Sequence, residues 1–192
     1  MNKKHIIAMA SSGYHESIFY EDGSLVTIGY RDGDKVTHQH PFGSLKRVGV
    51  ASGFYHDLVL GENGIVVRCV HDPSVACPPV PKGLDNVVAI AAGHVHSVAL
   101  KSDGTVVCWG SNYAGQRNVP AGLRGVIAIA AGLHHTLALK SDGTVVVWGQ
   151  DRRGDATVPD GLCNVVDIAA NGYGSMALKA DKTVVVWGQL IY

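Results

Sequence analysis

Three stretches of this chain nearly superimpose: AAGHVHSVALKSDGTVVCWG from Ala91, AAGLHHTLALKSDGTVVVWG from Ala130 and AANGYGSMALKADKTVVVWG from Ala169. Two more diverged copies, ASSGYHESIFYEDGSLVTIG from Ala10 and SGFYHDLVLGENGIVVRC from Ser52, keep the same register. Aligned on one slot, held by His15, His56, His96, His135 and Gly174, the copies step by 41, 40, 39 and 39 residues. This period constrains the fold most, because a unit of about 40 residues cannot bury its own apolar face and must stack on its neighbours.

Each unit is punctuated at the same places. Seven and eight residues after the slot come Asp22-Gly23, Asn63-Gly64, Asp103-Gly104, Asp142-Gly143 and Asp181-Lys182, dipeptides that predict type I′ hairpins with positive φ at both positions. Thirteen residues after it come Ile28, Cys69, Trp109, Trp148 and Trp187, a bulky position. Pro41, Pro81, Pro120 and Pro159 are each followed two residues later by Gly43, Gly83, Gly122 or Gly161, so the connections repeat as well. The pattern predicts strand, Gly corner, strand, hairpin, strand and a Gly/Pro loop. In the third copy the strands fall at about Asn86 to Ala92, His96 to Lys101 and Thr105 to Trp109, with a short outer strand at Arg117 to Val119.

Runs such as Val145-Val146-Val147-Trp148 are apolar on both pleat faces, which for a strand means burial from both sides. A two-sheet sandwich would place polar residues at every second position. The expectation is an all-β fold, a β-propeller of about five short blades with one blade per repeat. It forms a single domain over 1–192, with units at about 4–43, 44–83, 84–122, 123–161 and 162–192. A β-solenoid, or an incomplete ring closed by another subunit, is the alternative.

Charge and composition narrow the function classes. Lys plus Arg and Asp plus Glu each number 16, a formal net charge of zero, so no global field draws the chain to nucleic acid or to an anionic membrane. An apolar content of 46% suits a packed domain. Cys69, Cys77, Cys108 and Cys163 lack metal-type spacing, and two lie in apolar runs where a thiol acts as a small hydrophobe, so a reducing compartment suits them. The opening MNKKHIIAMASSGYH is too short in apolar residues for a secretory core or a membrane span. The expectation is a soluble protein without a secretion signal, cytoplasmic or part of a particle assembled in the cytoplasm.

Ala91-Ala92-Gly93, His96-Ser97, Ala99-Leu100, Asp103-Gly104 and Trp109-Gly110-Ser111-Asn112, continuing to Gly115-Gln116, resemble a repeat of the regulator of chromosome condensation family. The resemblance runs in register over nearly the whole chain and is densest in copies three and four. It implies a propeller with one four-stranded blade per repeat, used mostly for protein interaction. Family propellers typically have seven blades and longer repeats. The family's guanine-nucleotide exchange activity resembles a function of protruding loop insertions, for which no unit here has room, and it is not expected.

The repeated His15, His56, His96 and His135 invite a metal reading. Zinc needs three or four groups converging near 2 Å from one point, which positions spaced around a ring do not do. An imidazole opening a strand after a Gly corner is instead expected to hydrogen-bond backbone carbonyls of the neighbouring blade, and Gly174 in copy five suits a brace that one blade can lose. These histidines, with Trp109, Trp148 and Trp187, are read as structural positions, and no metal or cofactor is expected. His94 and His96, like His38 and His40, stand two apart on one strand face without a further ligand, and His38-Gln39-His40-Pro41 reads as a surface loop. No Ser/His/Asp, Cys/His or paired-carboxylate set assembles, because the acids recur at hairpin tips; an enzyme is not expected.

The slot before the repeated histidine holds Tyr14, Tyr55, Val95, His134 and Tyr173, beside the Gly corner and so on one rim. Tyr14, Tyr55, His94, His134 and Tyr173 are the candidate binding residues, since rings presented on a rim supply contact area at small entropic cost. The same rings would also serve simply to cover the corner. The loops that differ most, Tyr30 to His40, His71 to Pro79, Ser111 to Asn118 and Gln150 to Thr157, are expected on the other rim, where Arg117, Arg152 and Arg153 add slight positive character. The function expected is a non-enzymatic protein-binding or scaffolding propeller. Its partner is another protein, in one form a component of a virus or phage particle that this chain decorates, and a homo-oligomer is compatible. A carbohydrate-binding propeller is the alternative; chromatin or small-GTPase regulation follows from the resemblance alone.

Overall fold

The computed structural model describes residues 5–12, 15–31, 34–41, 47–70, 79–150 and 156–189. β1 (Ile6–Ser11), β2 (His15–Tyr20), β3 (Ser24–Arg31) and β4 (Asp34–Pro41) form the first antiparallel sheet, and β5 (Arg47–Ser52), β6 (His56–Gly61) and β7 (Val66–Val70) the second. The third holds β8 (Val87–Ala92), β9 (His96–Lys101) and β10 (Val106–Gly110); the fourth holds β11 (Val126–Ala131), β12 (His135–Lys140) and β13 (Val145–Gly149). β14 (Val165–Asn171), β15 (Tyr173–Lys179) and β16 (Val184–Gln189) make the fifth. Each repeat is therefore one blade, with strands in chain order. Among the described residues no helix is long and apolar enough to cross a membrane.

The two-sided burial read from Val145-Val146-Val147-Trp148 has a direct cause. Val145 and Val147 pack between the fourth and fifth sheets, while Val146 and Trp148 pack between the third and fourth. Every interface uses the same slots. Leu137, Leu139 and Val145 of the fourth sheet meet Val165, Ile168, Ala177 and Trp187 of the fifth; Val98, Leu100 and Val106 meet Val126, Ala138 and Trp148; Leu58, Leu60 and Val66 meet Val87, Ala99 and Trp109. Burying one such Leu or Val stabilises by roughly 1.5–3 kcal/mol, so the flanks, not the turns, hold the array together.

The first strands β1, β5, β8, β11 and β14 lie side by side at the centre. Each carries a register shift, between Ile6 and Ala8, Arg47 and Gly49, Val87 and Ala89, Val126 and Ala128, and Val165 and Asp167. One extra residue per strand is thus left out of the ladder, and four of these, Ile7, Val88, Ile127 and Val166, are exposed.

Three expectations need correction. The hairpins are not type I′: Gly23, Gly64, Gly104, Gly143 and Lys182 have positive φ, whereas the Asp or Asn before each does not. In the third sheet Gly104 N donates to Lys101 O and Lys101 N to Thr105 O, a type I turn closed by a left-handed residue. The acidic or amide side chain caps the turn, accepting the N–H two residues on at Ser24, Ile65, Thr105, Thr144 and Thr183. Second, Arg117 to Val119 is not an outer strand, because Gly115 takes positive φ and turns the chain there. Third, His38 to Pro41 is no loop but the end of β4, with Thr27 opposite His38 and Leu25 opposite His40. Lys35 to His40 contains Val and Thr and no Gly or Pro, so nothing interrupts the ladder.

Candidate functional site

The repeated histidines are inter-blade braces. His15 Nε2 lies 2.9 Å from Asp57 Oδ1, His56 Nε2 2.8 Å from Ser97 Oγ, His96 Nε2 3.0 Å from Thr136 Oγ1 and His135 Nε2 2.9 Å from Ser175 Oγ. The neighbouring blade is the partner expected, but the acceptors are side-chain oxygens, not backbone carbonyls. Each belongs to the residue after the next histidine slot, a small polar side chain buried in an apolar strand.

The brace at His96 shows the full network. Thr136 Oγ1 donates to the Gln116 carbonyl, which also accepts Trp148 Nε1–H, both at 2.9 Å. Thr136 must therefore accept from His96, which sets the Nε2–H tautomer and leaves Nδ1 bare and unpartnered. Burial, reinforced by neighbouring histidines beginning with His56 and His135, lowers the His96 pKa to about 3, so the ring stays neutral. Gln116, fully buried, is a residue the sequence reading left without a role, although Gly115-Gln116 belongs to the repeat pattern.

The corners must be glycine where the imidazole lies on them. A Cβ on Gly93 would collide with the His96 ring and the Gly132 carbonyl oxygen of the next sheet, and one on Gly132 with the His135 ring. The backbone also links sheets directly at the corners: Phe54 N donates to Gly93 O and Leu133 N to Gly172 O. Ser11-Ser12, Ser52-Gly53-Phe54, Ala92-Gly93-His94, Ala131-Gly132-Leu133 and Ala170-Asn171-Gly172 together line one open cavity of about 340 Å³ where the five corners converge.

A row of rings runs across the rim. Phe54 meets His94 edge-on with centroids 4.3 Å apart, and Tyr55 stacks on His94 at 5.3 Å. His94 lies 5.5 Å from His134, which in turn meets Tyr113 at 5.0 Å and Tyr173 at 5.9 Å. Four candidates from the sequence, Tyr55, His94, His134 and Tyr173, are thus brought together, while Tyr14 lies outside the described residues. Phe54 and Tyr113 complete the row. Phe54 occupies the same slot as His94 one copy earlier, a signal that was available; Tyr113 belongs to a loop placed on the wrong rim. Three strands return the chain to the rim of the corner, so that loop starts there, Ser111 N donating to Val95 O.

No Asp, Glu, Lys or Arg side chain takes part in the row. Burial and the nearby His134 lower the His94 pKa, and burial and Tyr173 raise that of Tyr113; the Tyr113 hydroxyl meets His134 Nδ1 at 2.6 Å. The surface is amphipathic, ring faces alternating with hydroxyl and imidazole edges, and is suited to contact. Elsewhere, Asp142 is held below the usual carboxylate range by Lys140 and Thr144, and burial pushes the Cys108 thiol up to about 12, where it is unreactive. Cys77, Arg152 and Arg153 lie outside the described residues. Among the described residues no three His, Cys, Asp or Glu side chains are placed to hold a metal ion.

Sheets of one repeat each, packed flank to flank with their first strands around a shared cavity, define a β-propeller architecture. Its third and fourth units, residues 87–116 and 126–155, match the regulator of chromosome condensation (RCC1) repeat. Prp20p from Saccharomyces cerevisiae superposes with a TM-score of 0.78 at 21% identity, covering 96% of this chain and 58% of its own. The ectodomain of the Physcomitrella patens receptor kinase CR4 gives 0.75 at 21%, over 98% and 52%, and human WBSCR16 gives 0.75 at 19%, over 98% and 63%. The chain therefore spans between half and two thirds of the length of these structures. At such identities the likeness concerns the fold. No curated protein matches the sequence significantly.

Proposed function

We propose that this chain is a non-enzymatic protein-binding scaffold whose docking face is the rim row Phe54, Tyr55, His94, Tyr113, His134 and Tyr173. One observation carries this: six aromatic rings drawn from four units form a continuous strip beside an open cavity. Aromatic residues that are amphipathic and braced on a rigid scaffold are the residues from which binding hot spots are built. The finer form of the reading makes the partner a component of a virus or phage particle, with this chain as its structural or decoration protein.

The yeast relative is described as bound by Kap60 in one structure and as binding Gsp1p and histones in another. Zero net charge gives this chain no acidic field for a basic histone partner, which favours the contact reading over chromatin regulation. A carbohydrate-binding propeller would use the same rings as stacking platforms.

The test compares wild type with His94→Ala/Tyr173→Ala on the rim and with Lys182→Ala at a hairpin tip on the far side. Quantitative affinity capture from the native source should show proteins retained by wild type and by the hairpin variant but reduced about tenfold or more, about 1.4 kcal/mol, by the rim variant. Equal capture by all three removes the proposal. Saturable binding of simple sugars by wild type and not by the rim variant transfers the row to the lectin reading.

A further inference from the structure

Successive sheets always meet in one sense. The earlier sheet presents the flank carrying Leu137, Val145 and Val147 in the fourth unit, and the later presents the flank carrying Val165, Ile168 and Ala177 in the fifth. In the fifth sheet the first kind of flank is built from Met176, Val184 and Val186, which pair in the same register as their counterparts. Leu137 is 0% and Val145 9% exposed, but Met176 is 38%, Val184 59% and Val186 43% exposed. The second kind of flank in the first sheet shows the same contrast. Ile6 and Met9 hold the slots of Val165 and Ile168; exposures of 4% and 9% become 52% and 68%. A repeat flank shaped to meet water carries polar residues, and these two are apolar. Among the described residues, no strand of the first sheet packs on a strand of the fifth as successive sheets pack on each other.

The brace slots on the two flanks are altered in a matched way. At the interior interfaces an imidazole on the earlier sheet reaches Asp57, Ser97, Thr136 or Ser175 on the later one. The corresponding slots on the exposed flanks are Gly174, which removes the imidazole, and Glu16, which is solvent-exposed and longer than any of the four acceptors. Asn171 stands at the corner where the second, third and fourth units have Gly53, Gly93 and Gly132, adding an amide donor on the same flank as Gly174. A large side chain lost from one flank and a larger one gained on the other complement each other only if the fifth sheet's flank faces the first sheet's flank.

We propose that these flanks form an interface between two copies of this chain, the fifth sheet of one against the first sheet of the next. Glu16 occupies the room that Gly174 leaves and accepts a hydrogen bond from the Asn171 amide, in place of the imidazole brace. The contact is head to tail, because a flank of one kind always meets a flank of the other.

Sedimentation of the full chain over a wide concentration range tests it, with circular dichroism to verify folding of each variant. Wild type should self-associate, and Val184→Glu/Val186→Glu and Met9→Glu should each raise the dissociation constant at least tenfold. An equimolar mixture of the two variants should recover a two-chain species and nothing larger, since it keeps one intact pair of flanks. Gly174→His should weaken association and Gly174→His/Glu16→Ser should restore it. A wild type that remains a single chain throughout, variants without effect, or a mixture that stays monomeric would each overturn the proposal.

Discussion

Acid should weaken the interface between the third and fourth sheets, and His96 makes the effect calculable. The ring is buried and neutral with a folded pKa of about 3, against an ordinary value of 6.5 once unfolded. Between those values the unfolded chain binds a proton that the folded protein refuses. Stability is therefore full above about pH 6.5 and falls as pH is lowered toward 3, by about 1.4 kcal/mol per pH unit well inside the window. At pH 5 the loss from this residue alone is about 2 kcal/mol, roughly 1 M in urea midpoint for a slope typical of a small protein. Urea unfolding followed by Trp fluorescence at pH 8 and pH 5 measures it. His96→Gln removes the titrating group but keeps an N–H for Thr136, so it should be less stable than wild type at pH 8 yet lose about 2 kcal/mol less on acidification. If wild type and His96→Gln lose the same amount between the two pH values, His96 is not a buried neutral brace and the network through Thr136 and Gln116 is wrong.

Other perturbations separate backbone from packing effects. Lys182 holds a left-handed conformation that glycine takes in the other four hairpins; Lys182→Gly should stabilise by about 0.5–1 kcal/mol, and an unchanged or lower Tm contradicts that. Gly93→Ala drives a Cβ into the His96 ring and the Gly132 carbonyl and should destabilise by about 1–3 kcal/mol or more, whereas Gly49→Ala, with open space around it, should be near neutral in the same denaturation assay. Trp148→Phe removes the indole donor to Gln116 O but leaves that carbonyl bonded to Thr136; the expected cost is about 1 kcal/mol, and a loss several times larger in urea unfolding would mean that the ring matters mainly through packing.

The repeat was legible because Ala, Gly, His, Asp-Gly and Trp recur where backbone and packing tolerate few substitutes, as the collision of a Cβ at Gly93 shows. The braces were legible on the donor side alone. Their acceptors, Asp57, Ser97, Thr136 and Ser175, were visible as small polar residues inside apolar strands, but nothing local says that the oxygen filling the gap is a side chain's. The hairpins misled because Asp-Gly serves both turn types, and the acid's bond to the N–H two residues on shows itself only in three dimensions. Of the rim row, the slot before each histidine located Tyr55, His134 and Tyr173. Tyr113 was assigned to the opposite face, since an odd number of strands reverses the side from which the connecting loop departs.

The one-way reach of each imidazole bears on how such an array changes over generations. A histidine needs only the unit that follows it, so a whole copy duplicated or deleted between two others leaves every remaining histidine with an oxygen to meet. A cut inside a unit instead strands a ring against hydrocarbon. Recombination between these near-identical segments is thereby steered toward integral changes in blade number, and the span of the protein becomes a heritable quantity that varies in steps of one repeat.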